Sequence, residues 1–127
     1  MNDLVLIIED NDKNLKLTRD LLHFSGLRTI EAASAEEGVP LAIEHRPDVI
    51  LLDIQLPGID GIAAVAQFRS TPETANIPVI ALTAYAMKGD RERLLAAGFD
   101  GYLSKPINVK TFAEDVRRYI GVAHRGA

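Results

Sequence analysis

Apolar residues fall in five short runs separated by longer stretches of mixed polarity: Leu4-Val-Leu-Ile-Ile8, Leu27-Arg-Thr-Ile30, Val49-Ile-Leu-Leu52, Pro78-Val-Ile-Ala-Leu82 and Gly101-Tyr-Leu-Ser104. The first, third and fourth are almost continuously apolar rather than alternating. Strands look like this when helices cover both faces of a parallel sheet.

The intervening stretches carry helix signals. Asn11 or Asp12 can cap a helix that holds Leu15, Leu21, Leu22 and Phe24 and stops at Gly26. Ser34 and Glu37 stand at capping-box spacing ahead of Val39, Leu41 and Ile43. Asp60 precedes Ile62, Val65 and Phe68, a run closed by Thr71-Pro72, and Asp90 precedes Leu94 and Leu95, closed by Gly98. Asn108 opens a last stripe of Val109, Phe112, Val116, Tyr119 and Ile120. Pro40 conflicts with a helix begun at Ser34, because an interior proline loses a hydrogen bond and crowds the preceding turn. The sequence therefore predicts that this helix is kinked or starts properly only near Pro40. The alternation of strand and helix, five times over, predicts a doubly wound α/β fold with an open parallel sheet.

A length of 127 residues suits one domain, and 47% hydrophobic with 25% charged residues suits a soluble globular core. No apolar run approaches a membrane span, and the N-terminus lacks the basic start and apolar core of a signal peptide. With no cysteine there are no disulfides or thiolate metal sites, which fits a reducing cytoplasm. The net charge of −4 argues against a nucleic-acid surface, which would be basic. Protein partners and small phosphorylated donors fit better. His23, His45 and His124 show no ligand spacing and read as structural or surface groups, and Lys88 to Arg93 reads as a solvated helix face.

The chemistry concentrates at strand ends. Glu9 and Asp10 end the first run and Asp53 ends the third, where open α/β sheets bind ligands. If those strands are neighbours, three carboxylates converge and raise one another's pKa. A hard divalent cation such as Mg²⁺ relieves that repulsion while keeping room for phosphate. The fourth run ends in Leu82-Thr83-Ala84 and the fifth in Ser104-Lys105-Pro106, adding a hydroxyl, a backbone N–H and an ammonium to the rim. Such a set suits phosphoryl transfer onto Asp53 as nucleophile, with Lys105 and Thr83 offsetting charge on the transferred group.

In order and spacing, Ile8-Glu9-Asp10-Asn11, Leu52-Asp53-Ile54-Gln55-Leu56-Pro57-Gly58, Leu82-Thr83-Ala84 and Leu103-Ser104-Lys105-Pro106 resemble the response-regulator receiver domains of two-component signalling, the CheY-like superfamily. The likeness covers nearly the whole chain. It implies a flavodoxin-like (βα)5 fold with strand order 2-1-3-4-5, an order that follows from the resemblance and not from the patterning. It implies that Asp53 is phosphorylated, that Asp10, Asp53 and the carbonyl of Gln55 bind Mg²⁺, and that Glu9 reaches the metal through water. It further implies a phosphate-binding role for Thr83, Ala84 and Lys105, a swing of Thr83 followed by a rotamer change of Tyr102, and a cis bond before Pro106. Pro57 to Gly61 resembles the tight loop that follows the acceptor. Asp53-Ile-Gln-Leu-Pro57, Thr83-Ala-Tyr-Ala-Met-Lys-Gly-Asp90 and Ser104-Lys-Pro-Ile107 narrow the likeness to single-domain DivK-like cell-cycle regulators, although receivers of hybrid histidine kinases carry similar strings.

The expectation is a receiver domain over residues 1–121 with a short tail at 122–127, a cytoplasmic monomer or weak homodimer. Its donor would be a histidine kinase or histidine phosphotransfer protein, and its output would pass to a downstream protein, with neither nucleic acid nor membrane involved. It would catalyse its own phosphorylation and dephosphorylation rather than turn over a separate substrate. A metal-dependent aspartyl phosphatase would need a second acid two residues after the nucleophile, where Gln55 stands. A pure interaction module would leave the acidic and basic set unexplained. A nucleotide-binding flavodoxin-like protein would need a phosphate loop after the first strand, which is missing here.

Overall fold

The computed structural model describes residues 3–54, 59–84 and 88–120. Five strands alternate with five helices: β1 Leu4–Ile8, α1 Asp12–Phe24, β2 Arg28–Ala32, α2 Ala35–His45, β3 Val49–Ile54, α3 Ile59–Ser70, β4 Val79–Thr83, α4 Lys88–Ala97, β5 Gly101–Ser104 and α5 Phe112–Arg117. The strands form one parallel sheet in the order β2-β1-β3-β4-β5. The apolar patterning starts β2 one residue early and ends β3 at Leu52. In the fold β3 continues through Asp53 and Ile54, because both find partners in Leu82 and Thr83 of β4.

Strand alternation divides the core in two. On one face Leu6, Ile8, Leu52, Ile54 and Ala81 pack against Ala42 of α2, Val65 and Phe68 of α3 and Leu94 of α4. On the other, Val5, Ile7, Leu51, Ile80 and Leu82 pack against Leu22 of α1 and Phe112 and Val116 of α5. Burying each of the larger of these side chains contributes about 1.5–3 kcal/mol. That both faces are covered explains the continuous apolar runs of β1, β3 and β4.

Local chemistry sets the helix ends. Asn11 Oδ1 accepts from the backbone N–H groups of Lys13 and Asn14, so Asn11 rather than Asp12 is the cap of α1. Gly26 and Gly98 follow α1 and α4 with φ of +89° and +119°, left-handed geometry that glycine adopts without strain. Ser34 Oγ accepts from Glu37 N–H, while the Glu37 carboxylate accepts from Ala33 N–H, one residue earlier than in the usual box.

Four expectations need correction. The tight loop expected over Pro57 to Gly61 does not extend that far, because α3 already begins at Ile59. Of the two forms expected for α2, the late start fails: the helix begins at Ala35 and runs through Pro40, where the Ser34 cap and the burial of Gly38 and Ala42 outweigh one missing hydrogen bond. α5 is shorter than its stripe. Asn108 instead makes a turn, accepting from Lys110 N–H through its side chain, and leaves Val109 59% exposed. Phe24, counted on the apolar side of α1, is 93% exposed, since α1 ends there and faces the core through Leu15, Thr18, Leu21 and Leu22.

At the end of the sheet away from the strand C-termini, Arg69 ties α3 to the starts of β4 and β5. Its guanidinium donates to the carbonyls of Gly98, Ala75 and Ile77 and to Asp100 Oδ2 at 2.6 Å, and Asp100 in turn accepts from Val79 N–H. Burial favours the neutral form of Arg69, so its pKa is lowered, while Asp100 opposes that shift. Removing one partner of such a pair leaves the other desolvated. Arg69→Ala should therefore lower the unfolding free energy in urea by about 3 kcal/mol. Lys16→Ala, which breaks only the exposed pair with Asp20, should leave the midpoint unmoved. Equal effects of the two substitutions would contradict this.

Candidate phosphoacceptor site

The β1–β3 register places Ile8 beside Leu52. One residue further on, Glu9 and Asp53 therefore leave neighbouring strands side by side, both on the face that α1 and α5 cover. Glu9 is held there by its own backbone, whose N–H donates to the Ala32 carbonyl of β2. On the far side, Lys105 N–H donates to the Thr83 carbonyl at 2.8 Å, which continues the β4–β5 ladder past Ser104. By alternation from Leu103, the Lys105 side chain shares the face of Asp53. Its Nζ lies 2.8 Å from Asp53 Oδ1 and 2.6 Å from Oδ2. The Asp53 carboxylate is 4% exposed and the lysine side chain 23%. The sheet thus brings residues 9, 53 and 105 into one small acidic site with one ammonium.

Glu9 is the strained member. It is 6% exposed, and its Oε1 is buried without a hydrogen-bond partner. Its pKa is raised to about 7, first by burial and then by the Asp53 carboxylate, to which a protonated Glu9 donates; the Asn11 backbone and the Asn14 side chain pull it down. Asn14 is a site neighbour that the motifs do not point to. Its place in the first turn of α1, five residues after Glu9, is the only signal the sequence offers for it.

The other candidates are arranged less tightly. Asp10 is exposed, and among the described residues no three Asp, Glu, His or Cys side chains are gathered as a metal-binding group. Thr83 is fully buried and in register with Ile54, so by parity its side chain starts on the α2–α4 side of the sheet. Ala84 is exposed at the rim. Tyr102 is half-buried and packs against the α2–α4 side of the core. The Lys105–Pro106 bond is cis. Gln55, Pro57, Gly58, Tyr85, the side chains of Asp60, Lys88 and Asp90, and the tail with His124 lie outside the described residues. His23 and His45 are far from the site in the fold: His23 pairs with Thr29 Oγ1 at 2.7 Å, and both line an open cleft at the N-terminal end of β2.

The donor set fits a hard divalent cation: all oxygen, two carboxylates against one ammonium, and a buried carboxylate oxygen lacking a partner. Glu9 and Asp53 supply donors in place, and Asp10 adjoins them in the chain.

No helix among the described residues is long and apolar enough to cross a membrane. The family model of the response regulator receiver domain matches residues 5–117. The polar-differentiation response regulator DivK of Brucella ovis is 48% identical over 123 residues, covering 97% of this chain and all of that protein. Its counterpart in Brucella anthropi is 49% identical over 119 residues, covering 94% and 97%. Among solved structures, the receiver domain of a Pseudomonas aeruginosa sensor histidine kinase, which has a magnesium ion coordinated in its active-site cleft, superposes with a TM-score of 0.82 at 36% identity over 95% of this chain and 99% of that one. The chemotaxis response regulator CheY4 of Vibrio cholerae gives 0.85 at 25% identity over 94% and 100%. With its strand order, its site and its sequence agreeing, this chain belongs to the response-regulator receiver domain family of two-component systems.

Proposed function

We propose that this receiver, spanning residues 1–121, accepts a phosphoryl group on Asp53 from the phosphohistidine of a histidine kinase or phosphotransfer protein. The observation that supports it most is the buried Asp53 carboxylate held by Lys105 beside a second acid. An Asp53 oxygen attacks phosphorus, the P–N bond to the donor imidazole breaks, and an acyl phosphate forms. Once phosphorylated, the Asp53 carboxyl no longer carries the charge that holds Lys105, so the ammonium is released to pair with the phosphoryl oxygens. Thr83 and the Ala84 N–H on the neighbouring strand offer a hydroxyl and an amide to the same oxygens. Because Thr83 starts on the opposite side of the sheet, reaching them moves the end of β4, and Tyr102 on that side follows.

Glu9, Asp10 and Asp53, with the Gln55 carbonyl, would hold Mg²⁺. When bound, the ion offsets negative charge on the transferring group. The altered surface then passes the signal to a protein target in the cytoplasm, as monomer or weak homodimer. The likeness to DivK favours a role in cell-cycle or polarity control. The same chemistry would serve a receiver borne by a hybrid kinase.

Three outcomes test this. With Mg²⁺ and acetyl phosphate, intact mass should show one phosphoryl adduct that Asp53→Asn abolishes. No adduct from this donor or from a phosphohistidine protein would overturn the reading, and turnover of phosphate esters would favour a phosphatase. Lys105→Ala should slow adduct formation by about 100-fold, the usual cost of deleting a preorganised charge donor, while shifting the thermal midpoint far less. The Glu9 pKa of about 7 lies above its unfolded value, so the folded state binds more protons in between and stability falls as pH rises through that window. In EDTA, the thermal midpoint of the wild type should fall between about pH 5 and 7, and Glu9→Gln should flatten that slope. Parallel profiles would count against the buried, proton-sharing geometry.

A further inference from the structure

Two glycines stand where helices come down on the site-bearing strands. Gly61 is the third residue of α3 and Gly38 the fourth of α2, and both are buried. Glycine inside a helix is entropically costly, so its presence asks for a steric reason. A Cβ added at Gly61 would lie 2.8 Å from Cγ2 of Ile54, and one added at Gly38 would lie 2.9 Å from Cδ1 of Ile8.

The two clashes are not equivalent. Cδ1 of Ile8 is the far end of a side chain and can turn away about χ2, which leaves Cγ1 of Ile8 at 3.3 Å to give by a few tenths of an ångström. Cγ2 of Ile54 sits directly on Cβ of a β-branched residue with a stiff χ1, in a strand, inside the core. Relief at Gly61 therefore requires α3 to lift or the end of β3 to drop. Ile54 follows Asp53 immediately and is in register with Thr83, so either movement reaches both.

We propose that Gly61 is a positioning residue for the phosphoacceptor: its bare Cα lets the first turn of α3 seat on Ile54, and this seat holds the end of β3 so that Asp53 meets Lys105. Gly61 cannot touch the reacting atoms, because Ile54 and Asp53 point to opposite faces. The kinetic arm of the test rests on Asp53 being the phosphoacceptor, and the spectroscopic arm does not.

The test is a methyl exchange. Gly61→Ala adds the clashing carbon, and Ile54→Leu removes Cγ2 by moving the branch outward. Two quantities are read: the maximal rate of adduct formation at saturating Mg²⁺ and acetyl phosphate, and the ¹³C carboxyl resonance of Asp53 in metal-free protein. Gly61→Ala is expected to lower the rate by about tenfold and to move the resonance, since small misplacements of a reacting group are costly. The Gly61→Ala/Ile54→Leu double variant should return both, with the rate within about twofold of wild type. Gly38→Ala, whose clash a side-chain tip can absorb, should change the thermal midpoint but leave rate and resonance alone. If Gly61→Ala does not fold, Ile54→Leu alone and the double variant still close the comparison: Ile54→Leu should shift the resonance and the added methyl should restore it.

An unmoved resonance in Gly61→Ala, the same response in Gly38→Ala, or failure of the double variant to recover would overturn the proposal. A wild type that takes no phosphoryl group while its resonances follow this pattern would remove the phosphoacceptor reading and leave the positioning role standing.

Discussion

Two carboxylates forced together at the C-terminal end of a sheet, with one lysine to answer them, are the interaction around which this molecule is arranged. Backbone pairing forces the contact. β1 and β3 are paired up to Ile8 and Leu52, so Glu9 and Asp53 leave the end of that ladder side by side. Burial then makes their charge expensive. Lys105 reaches both oxygens of Asp53, while Glu9 is left with one unpartnered oxygen and a carboxyl that holds its proton close to neutrality.

That arrangement is unstable toward added charge, which suits a switch. A phosphoryl group on Asp53 would exchange a single carboxylate charge for a larger one in the same confined volume, and Lys105 already stands within 2.8 Å of that carboxylate to follow it. The partner groups on β4 and β5 are already joined, since the Lys105 amide is bonded to the Thr83 carbonyl. A shift of either strand end is therefore felt by the other. Tyr102 lies on the face where α4 packs, so the proposed shift would have a route to the surface. The opposite end of the sheet is held by Arg69, with its ties to α3, β4 and the start of β5. One end of the sheet is clamped by Arg69 while the other holds the Glu9, Asp53 and Lys105 cluster.

Much of this was legible from residue types. Runs of continuous apolar residues announced a sheet covered on both faces, and the caps at Asn11 and Ser34 lie where their side chains indicate. Where reading failed, a local rule had met a stronger tertiary one. Pro40 sits inside α2 because the helix already had a cap and a buried face. Val109 fits a helical stripe yet lies in a turn, since Asn108 offered its own hydrogen bonds to the backbone. β3 runs on through Asp53 because β4 supplies partners that no single-strand pattern can reveal.

The number and order of secondary elements, the chemical inventory and the family can be read from residue order, because periodicity, capping and motif order are properties of neighbours along the chain. Three further facts arise in folding: Asp53 and Lys105 touch, Glu9 is buried and proton-retaining while Asp10 next to it is exposed, and Gly61 makes room for Ile54. They depend on strand register, on alternation between faces and on distances between residues up to 52 positions apart, and no local stretch of the chain encodes any of these.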